Sequence, residues 1–165
     1  MRLNLREIIN VPGGEVSFDY EPQLGDMEFS DVLGFTVPLR AKGTIKNIAG
    51  VLNLSADLTA EISCRCARCL TEFTRQFSLH TDAIIAEEAQ DEDNPDIFFL
   101  DGDYIDVDEV IITAFVLNME QRLVCREDCK GLCSKCGKNL NDGPCDCKAE
   151  LDPRFAVLRQ LLEND

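Results

Sequence analysis

Apolar and polar residues alternate along the first half of the chain with a period of two, the repeat of a strand that buries one face. Phe35, Val37, Leu39, Ala41, Gly43 and Ile45 alternate with Thr36, Pro38, Arg40, Lys42, Thr44 and Lys46. Ala49-Gly50 marks a turn. Leu52, Leu54, Ala56, Leu58, Ala60, Ile62 and Cys64 then alternate without a break against Asn53, Ser55, Asp57, Thr59, Glu61 and Ser63. A third strand is predicted from Phe73 to about Ile85, burying Phe73, Phe77, Leu79, Ala83 and Ile85. Three long strands joined by short turns predict an antiparallel meander. Ahead of it, Leu3, Leu5 and Ile8 suggest a strand closed by Pro12-Gly13-Gly14, and Val16 to Tyr20 a second. Residues 23–34 carry mixed signals and read as loop.

Past the meander the period changes. Ile97 to Leu100, the turn Asp101-Gly102-Asp103 and Tyr104 to Val107 predict a short hairpin. Asp106 as N-cap with Glu109 three residues on predicts a helix over about 106–121, a capping box with Asp in place of Ser or Thr. Val110, Ile111, Ala114, Phe115 and Leu117 make it apolar almost all round, as a buried central helix would be. Asp152-Pro153 opens a short C-terminal helix whose Phe155, Leu158, Leu161 and Leu162 form one stripe. That stripe docks on its own domain or takes a partner. The expected fold is α+β: a β meander, as a sheet or partial barrel, packed on a central helix, with a C-terminal zinc-ribbon-like loop and a short helix. Residues 1–121 would form the β-rich core, and 122–165 the cysteine-rich loop and last helix, packed on that core as one domain.

Charge changes the picture more than composition does. The net charge is −15, and residues 81–121 hold thirteen Asp and Glu with no Lys or Arg. The rest of the chain carries eighteen acidic and sixteen basic side chains and is close to neutral. A chain so acidic does not hold nucleic acid by bulk electrostatics, because phosphate binding rests on Lys and Arg releasing counterions. Any RNA contact must be local or made through a partner. The acidic loop at about 86–96 is either a solvated segment that aids solubility or a docking surface for a basic partner. No apolar run approaches the ~20 residues of a membrane helix. Met1-Arg-Leu-Asn-Leu-Arg-Glu7 reads as a strand and not as a cationic leader, so a cytoplasmic protein is expected.

Nine cysteines carry the candidate chemistry, six of them between Cys125 and Cys147. Cys133-x-x-Cys136-Gly137 has the form of a metal knuckle, and Cys145-x-Cys147 returns after a turn-rich gap. Two cysteine pairs across a short loop match a structural four-thiolate zinc site. Disulfides or an iron–sulfur cluster are the alternatives, but disulfides need an oxidising compartment. Cys66-x-x-Cys69 lies between two predicted strands, whereas a thioredoxin-like dithiol opens a helix in a βαβ unit. A second knuckle is the better reading, and a thiol redox site using Cys66 and Cys69 a distant third function. If Cys133, Cys136, Cys145 and Cys147 take one zinc, Cys66, Cys69, Cys125 and Cys129 remain for another. Cys125-x3-Cys129 has the i, i+4 spacing that puts two thiolates on one face of a helical turn. Cys64 stays behind as a core residue. The alternative is a single zinc, with Cys125 and Cys129 spare.

Catalytic patterns are missing from the sequence. His80, the single histidine, sits on the outward side of a strand in no catalytic constellation. There is no Walker loop and no dinucleotide-binding glycine pattern. All-cysteine zinc sites are closed and structural. We therefore expect a protein that is not an enzyme.

The cysteine hairpin Cys66-Ala-Arg-Cys69-Leu70, the run Cys125-x3-Cys129-Lys-Gly-Leu-Cys133-x2-Cys136-Gly, Asn139-Leu-Asn141, Cys145-Asp-Cys147 and Asp152-Pro-Arg154 with its leucine-rich helix together resemble the YceD family. The resemblance spans most of the chain and is specific in its C-terminal half. It implies a non-catalytic factor required for accumulation of large-subunit ribosomal RNA, whose gene commonly neighbours that of a small large-subunit ribosomal protein. Ribosomal RNA or its precursor, a basic ribosomal protein, or both are the implied partners, with no membrane and no small-molecule substrate. Arg122, Arg126, Lys130, Lys135, Lys138 and Lys148 against Glu127, Asp128, Asp142 and Asp146 leave the zinc loop at +2. Those cations either touch RNA or neutralise a zinc–thiolate centre of charge −2. A zinc-stabilised adaptor binding a protein unrelated to ribosomes is the alternative function.

Overall fold

The longest alternating segments form the middle of a five-stranded sheet. The computed structural model describes residues 1–25, 27, 29, 31–86 and 97–147. In chain order they make β1 (Arg2–Asn4), α1 (Arg6–Ile9), β2 (Glu15–Tyr20), β3 (Val32–Ile48), β4 (Val51–Arg65), β5 (Glu72–Ala86), β6 (Ile97–Phe99), β7 (Tyr104–Asp106) and α2 (Val107–Asn118). A 3-10 turn at Leu140–Asp142 follows in the cysteine-rich loop. The large sheet has the order β2-β3-β4-β5-β6, and β1 pairs separately with β7.

The meander β3-β4-β5 follows the alternation. All seven inward positions of β4, from Leu52 to Cys64, are buried, as a central strand flanked on both sides should be. On β3 the alternation fails at Val37, which is 52% exposed. Register shifts between Phe35 and Val37 and between Val37 and Arg40 turn that stretch over. Pro38 lies within it and has no N–H for the ladder, so an irregularity is tolerated where regular pairing is not. Beyond it Leu39, Ala41 and Ile45 point inward as expected. The Ala49-Gly50 turn has φ of 54° and 93°, the left-handed pair that matches the twist of a tight hairpin.

Three sequence expectations are corrected. The predicted first strand stops at Asn4; Leu5 and Ile8 are buried on α1 and beside it, not on a strand. A buried amide explains the bend: Asn47 donates to the carbonyls of Ile8 and Ile9 at 2.8 and 2.7 Å and accepts the Gly50 N–H at 2.8 Å. In residues 97–107 the predicted turn forms, closed by an antiparallel bridge between Asp101 and Tyr104, but the flanking strands do not pair with each other. β6 pairs parallel with β5 and β7 pairs antiparallel with β1, so two short strands that face each other in sequence join different sheets. The helix also ends at Asn118 rather than near 121.

Asp106 caps α2 by accepting the Asp108 N–H at 3.1 Å. Val107, Val110, Ile111, Ala114 and Phe115 are buried, and the Phe115 ring centroid lies 4.8 Å from that of Phe77 on β5. Tyr20 on β2 donates to Asp108 at 2.9 Å. Burial and that carboxylate push the phenol well above its usual range. Residues 87–96, which include most of the acidic loop, and 148–165, with the predicted C-terminal helix, lie outside the described residues.

Candidate metal centre

The β4–β5 connection and the segment after α2 meet at four sulfurs. The Sγ atoms of Cys66, Cys69, Cys125 and Cys129 all lie within 4.8 Å of one another, and so do those of Cys133, Cys136, Cys145 and Cys147. Each group can hold a metal ion. Cys66 to Cys129 is 3.8 Å and Cys69 to Cys125 is 3.7 Å. A tetrahedron with metal–sulfur bonds of about 2.3 Å has edges of about 3.8 Å, so the donor set fits. All nine cysteines are free thiols.

Two C-x-x-C turns of the same construction supply half of these ligands. In the hairpin, Leu70 N–H donates to the Cys66 carbonyl at 2.9 Å and Arg68 N–H points at Cys66 Sγ at 3.5 Å. In the later loop, Gly137 N–H donates to the Cys133 carbonyl at 2.9 Å and Lys135 N–H points at Cys133 Sγ at 3.4 Å. Both turns need a left-handed residue after the second cysteine. Gly137 takes it at φ 70°; in the hairpin a leucine does, Leu70 at φ 60°. The predicted helical turn at Cys125–Cys129 is not helical. A turn closed by Cys129 N–H on the Arg126 carbonyl at 3.1 Å still brings both thiols to the hairpin, because i, i+4 residues converge in any tight reversal.

The two groups differ in burial. Cys66, Cys69 and Cys129 are 0%, 5% and 4% exposed, packed against Phe73, Val124 and Leu132, so the inner group is nearly dry. Cys136 and Cys147 of the outer group are exposed. Cys64 is buried beside Ile62 and Leu123 and belongs to neither.

Ionisation within each group is uneven. Burial opposes a Cys66 thiolate, yet backbone N–H groups of Cys125, Cys69 and Arg68 bring that thiol down to about 6. Burial and the neighbouring thiols push Cys125 up to about 12. In the outer group the N–H groups of Cys136 and Lys135 lower Cys133 to about 6, while the contact with Cys136, then burial, raises Cys147 to about 12. Four adjacent sulfurs do not all ionise on their own; a cation among them removes the repulsion.

Residues outside the cysteines complete the centre, and no sequence motif singled out their roles. Arg68 donates to the carbonyls of Glu127 and Cys129 at 3.2 and 3.1 Å, fastening the segment after α2 to the hairpin. Asn141 donates to Cys129 Sγ at 3.3 Å, and that amide is the main reason the Cys129 thiol is lowered. In sequence Asn139 and Asn141 stood out as turn residues and as part of the family resemblance, with no contact to a sulfur implied.

His80 does have company. β4 and β5 pair Asp57 with His80 and Ser55 with Asp82, which puts Nδ1 2.7 Å from Asp57 and Nε2 3.4 Å from Ser55 Oγ. The order matches a serine–histidine–carboxylate relay, and cross-strand register, invisible in sequence, creates it. Asp82 lies 3.6 Å from the same Nε2, however, and both carboxylates are more than 70% exposed. Asp57, then Asp82, raise the imidazole above its ordinary value. β4 is paired on both sides here, so its N–H groups are spent on the ladders and none is left as an oxyanion donor. The group lies exposed on the surface of the sheet.

Residues 54–162 match the family described as large ribosomal RNA subunit accumulation protein YceD. That span includes all eight clustered cysteines. An uncharacterised Bacillus subtilis protein is 24% identical across 100% of this chain and 98% of its own length. An uncharacterised Mycobacterium tuberculosis protein is 33% identical over 59% of this chain. The chain spans about half (49%) of the length of that mycobacterial relative. A chloroplastic Arabidopsis thaliana protein, a YCED homolog whose name describes large ribosomal RNA subunit accumulation, is 38% identical over 36% of this chain and 19% of its own. No solved structure matches the chain. No helix among the described residues is long and apolar enough to cross a membrane.

Proposed function

Since the chain belongs to the YceD family, we propose that it is a non-catalytic factor in ribosome biogenesis, supporting accumulation or assembly of large-subunit ribosomal RNA in the cytoplasm. The observation that carries this reading is the extent of the family match, which takes in both cysteine groups and the strands that present them. In our reading each group holds one structural zinc. Cys66, Cys69, Cys125 and Cys129 would hold the inner ion, and Cys133, Cys136, Cys145 and Cys147 the outer. Zinc bound to four thiolates has no open position, so it would supply rigidity rather than catalysis. The inner site would clamp the meander tip to the segment after α2, with α2 as the helix on which the sheet packs and residues 1–121 and 122–165 unfolding together. The resulting end of the molecule would present Lys130, Lys135 and Lys138 to an RNA or a ribosomal protein.

Co-sedimentation with large-subunit precursors tests the function. The wild-type protein should travel with the precursor, and charge reversal at Arg126, Lys130, Lys135 and Lys138 should release it. Migration with no ribosomal particle at any salt concentration would rule the reading out. One observation favours the adaptor alternative: several of the cations near this end are already engaged. Arg126 pairs with Asp128 at 3.4 Å, Arg65 with Glu72 at 3.8 Å, and Lys138 donates to the Pro144 carbonyl at 2.8 Å. Under that alternative the charge reversals leave binding intact.

A further inference from the structure

The two cysteine groups are not separate modules. Asn139 and Asn141 belong to the outer loop, between Cys136 and Cys145, yet the Asn141 side chain reaches an inner sulfur and that of Asn139 reaches the hairpin at Thr71. The Lys130 N–H donates to Asn141 Oδ1 at 2.8 Å, which fixes which end of the amide is oxygen. Asn141 Nδ2 therefore faces Cys129 Sγ at 3.3 Å and Asn139 Oδ1 at 2.8 Å. Asn139 Oδ1 also accepts the Asn141 N–H at 3.0 Å, which leaves Asn139 Nδ2 facing Thr71 Oγ1 at 3.5 Å. Thr71 Oγ1 in turn lies 3.3 Å from Cys69 Sγ, so its hydroxyl can donate to that sulfur as thiolate. One of the four inner sulfurs, Cys129, thus takes a hydrogen bond directly from the outer loop, and a second, Cys69, is reached from it only through Thr71 of the hairpin.

The backbone supports the same link. Leu140 N–H donates to the Gly131 carbonyl at 2.9 Å, and Leu132 N–H donates to the Arg68 carbonyl at 3.2 Å. Gly131 has φ 73° and a Cβ there would sit 3.0 Å from the Arg68 carbonyl oxygen, so the outer loop lies directly on the hairpin knuckle. The 3-10 turn lies in the chain between Cys136 and Cys145, two ligands of the outer group, so the placement of the Asn141 amide is tied to the conformation of the outer site.

We propose that Asn141, backed by Asn139, is a positioning residue through which the outer loop completes the inner site, so that the two sites load metal cooperatively. This rests on the two-zinc reading above. Filling the outer site holds the loop that carries Leu140–Asp142, keeps the Asn141 amide at Cys129 and lowers the cost of placing four thiolates around the inner ion. Loss of metal from the exposed outer site is then transmitted to the buried clamp. Outer-sphere partners of metal ligands are commonly worth about ten- to a hundred-fold in affinity.

The test is anaerobic cobalt(II) titration of the reduced, metal-free full chain against a competing chelator, read by thiolate–cobalt absorbance. The wild type should take two ions. Cys136→Ser with Cys147→Ser should take one, with inner-site affinity down by about ten-fold or more. Asn141→Ala, with all eight thiols intact, should still take two ions but lose inner affinity to a similar extent. Added to the outer-site double variant, Asn141→Ala should cost little more, since the two changes break one link. If Asn141→Ala does not fold, Asn141→Asp keeps the Oδ1 acceptor and removes the donor, and should show the same inner-site loss. Inner affinity unchanged in both variants, with one ion bound by the outer-site double variant and two by Asn141→Ala, would overturn the cooperative link and leave the zinc reading standing. No cobalt bound by the wild type would overturn the zinc reading itself, and the link with it.

Discussion

Leu70 is an unusual residue for its place. It holds φ 60° and is 58% exposed, so it bears the steric penalty of a left-handed leucine without burying its side chain. Gly137 fills the equivalent place in the other knuckle. Leu70→Gly should therefore stabilise the metal-loaded protein by roughly 1 kcal/mol, seen as a melting temperature about 2–4 °C higher. A drop would mean that the leucine side chain packs on something that keeps it there. At His80 the sign of the pH effect follows from its neighbours. Asp57 raises the imidazole above 6.5, so its contribution is complete below the unfolded value and fades as pH climbs through the folded one. NMR titration should find the midpoint above 6.5, and Asp57→Asn should move it down. Neither feature could be read from sequence: a residue's φ and its cross-strand partner depend on which turn and which register the chain adopts.

At the scale of elements, Gly43 shows how tightly β2, β3 and β4 are fitted. A Cβ there would meet the Ser55 carbonyl oxygen at 2.4 Å, Ala56 Cβ at 2.7 Å and Phe18 Cζ at 2.7 Å. Gly43→Ala should cost about 1–3 kcal/mol, measured by denaturant unfolding, because a backbone oxygen and a strand neighbour cannot swing away. Phe115→Ala should cost more, about 3–5 kcal/mol, since the ring is fully buried and stacks edge-on with Phe77 and Phe29. The meander was legible because an unbroken period of two allows one register only; a slip by one residue would expose all of β4. The strand pairing in 97–107, beyond the turn that Asp101 and Tyr104 close, was misread for the opposite reason. β6 and β7 are three residues each, too short for their pattern to say whether they pair with each other or with distant strands. Loop closure by β1 and β5 decided it.

For the whole molecule, the metal reading makes folding and metal binding one process. Removing zinc with a chelator under reducing conditions should lower the melting temperature and free the segment after α2 for proteolysis, while the β3–β4–β5 circular-dichroism signal persists. The pH direction is fixed by the thiols. Ligands bind as thiolates, so protons compete with metal, and Cys66 and Cys133 lie at about 6 even before an ion is bound. Metal retention should therefore fall steeply as pH drops below about 6, in a pH-step release assay with a zinc-sensitive dye. A metal-loaded chain that melts in one transition, and separates into two after chelation, would support one cooperative unit across residues 1–121 and 122–165.

The sequence by itself determined the β meander, the buried face of β4 and the set Cys133, Cys136, Cys145 and Cys147, because each is written in local spacing: a period of two, C-x-x-C, C-x-C. Counting the remaining thiols offered Cys66, Cys69, Cys125 and Cys129 as a second set against a single zinc with Cys125 and Cys129 spare, and the geometry brings those four together. Tertiary structure alone decided the rest. Burial separates a dry inner group from an exposed outer one. Strand register sets Ser55, Asp57 and Asp82 around His80. The fold of the outer loop carries Asn139 to Thr71 and Asn141 to Cys129. Those relations join residues far apart in the chain, and nothing in local spacing encodes a contact that exists only after distant backbone segments have been packed against each other.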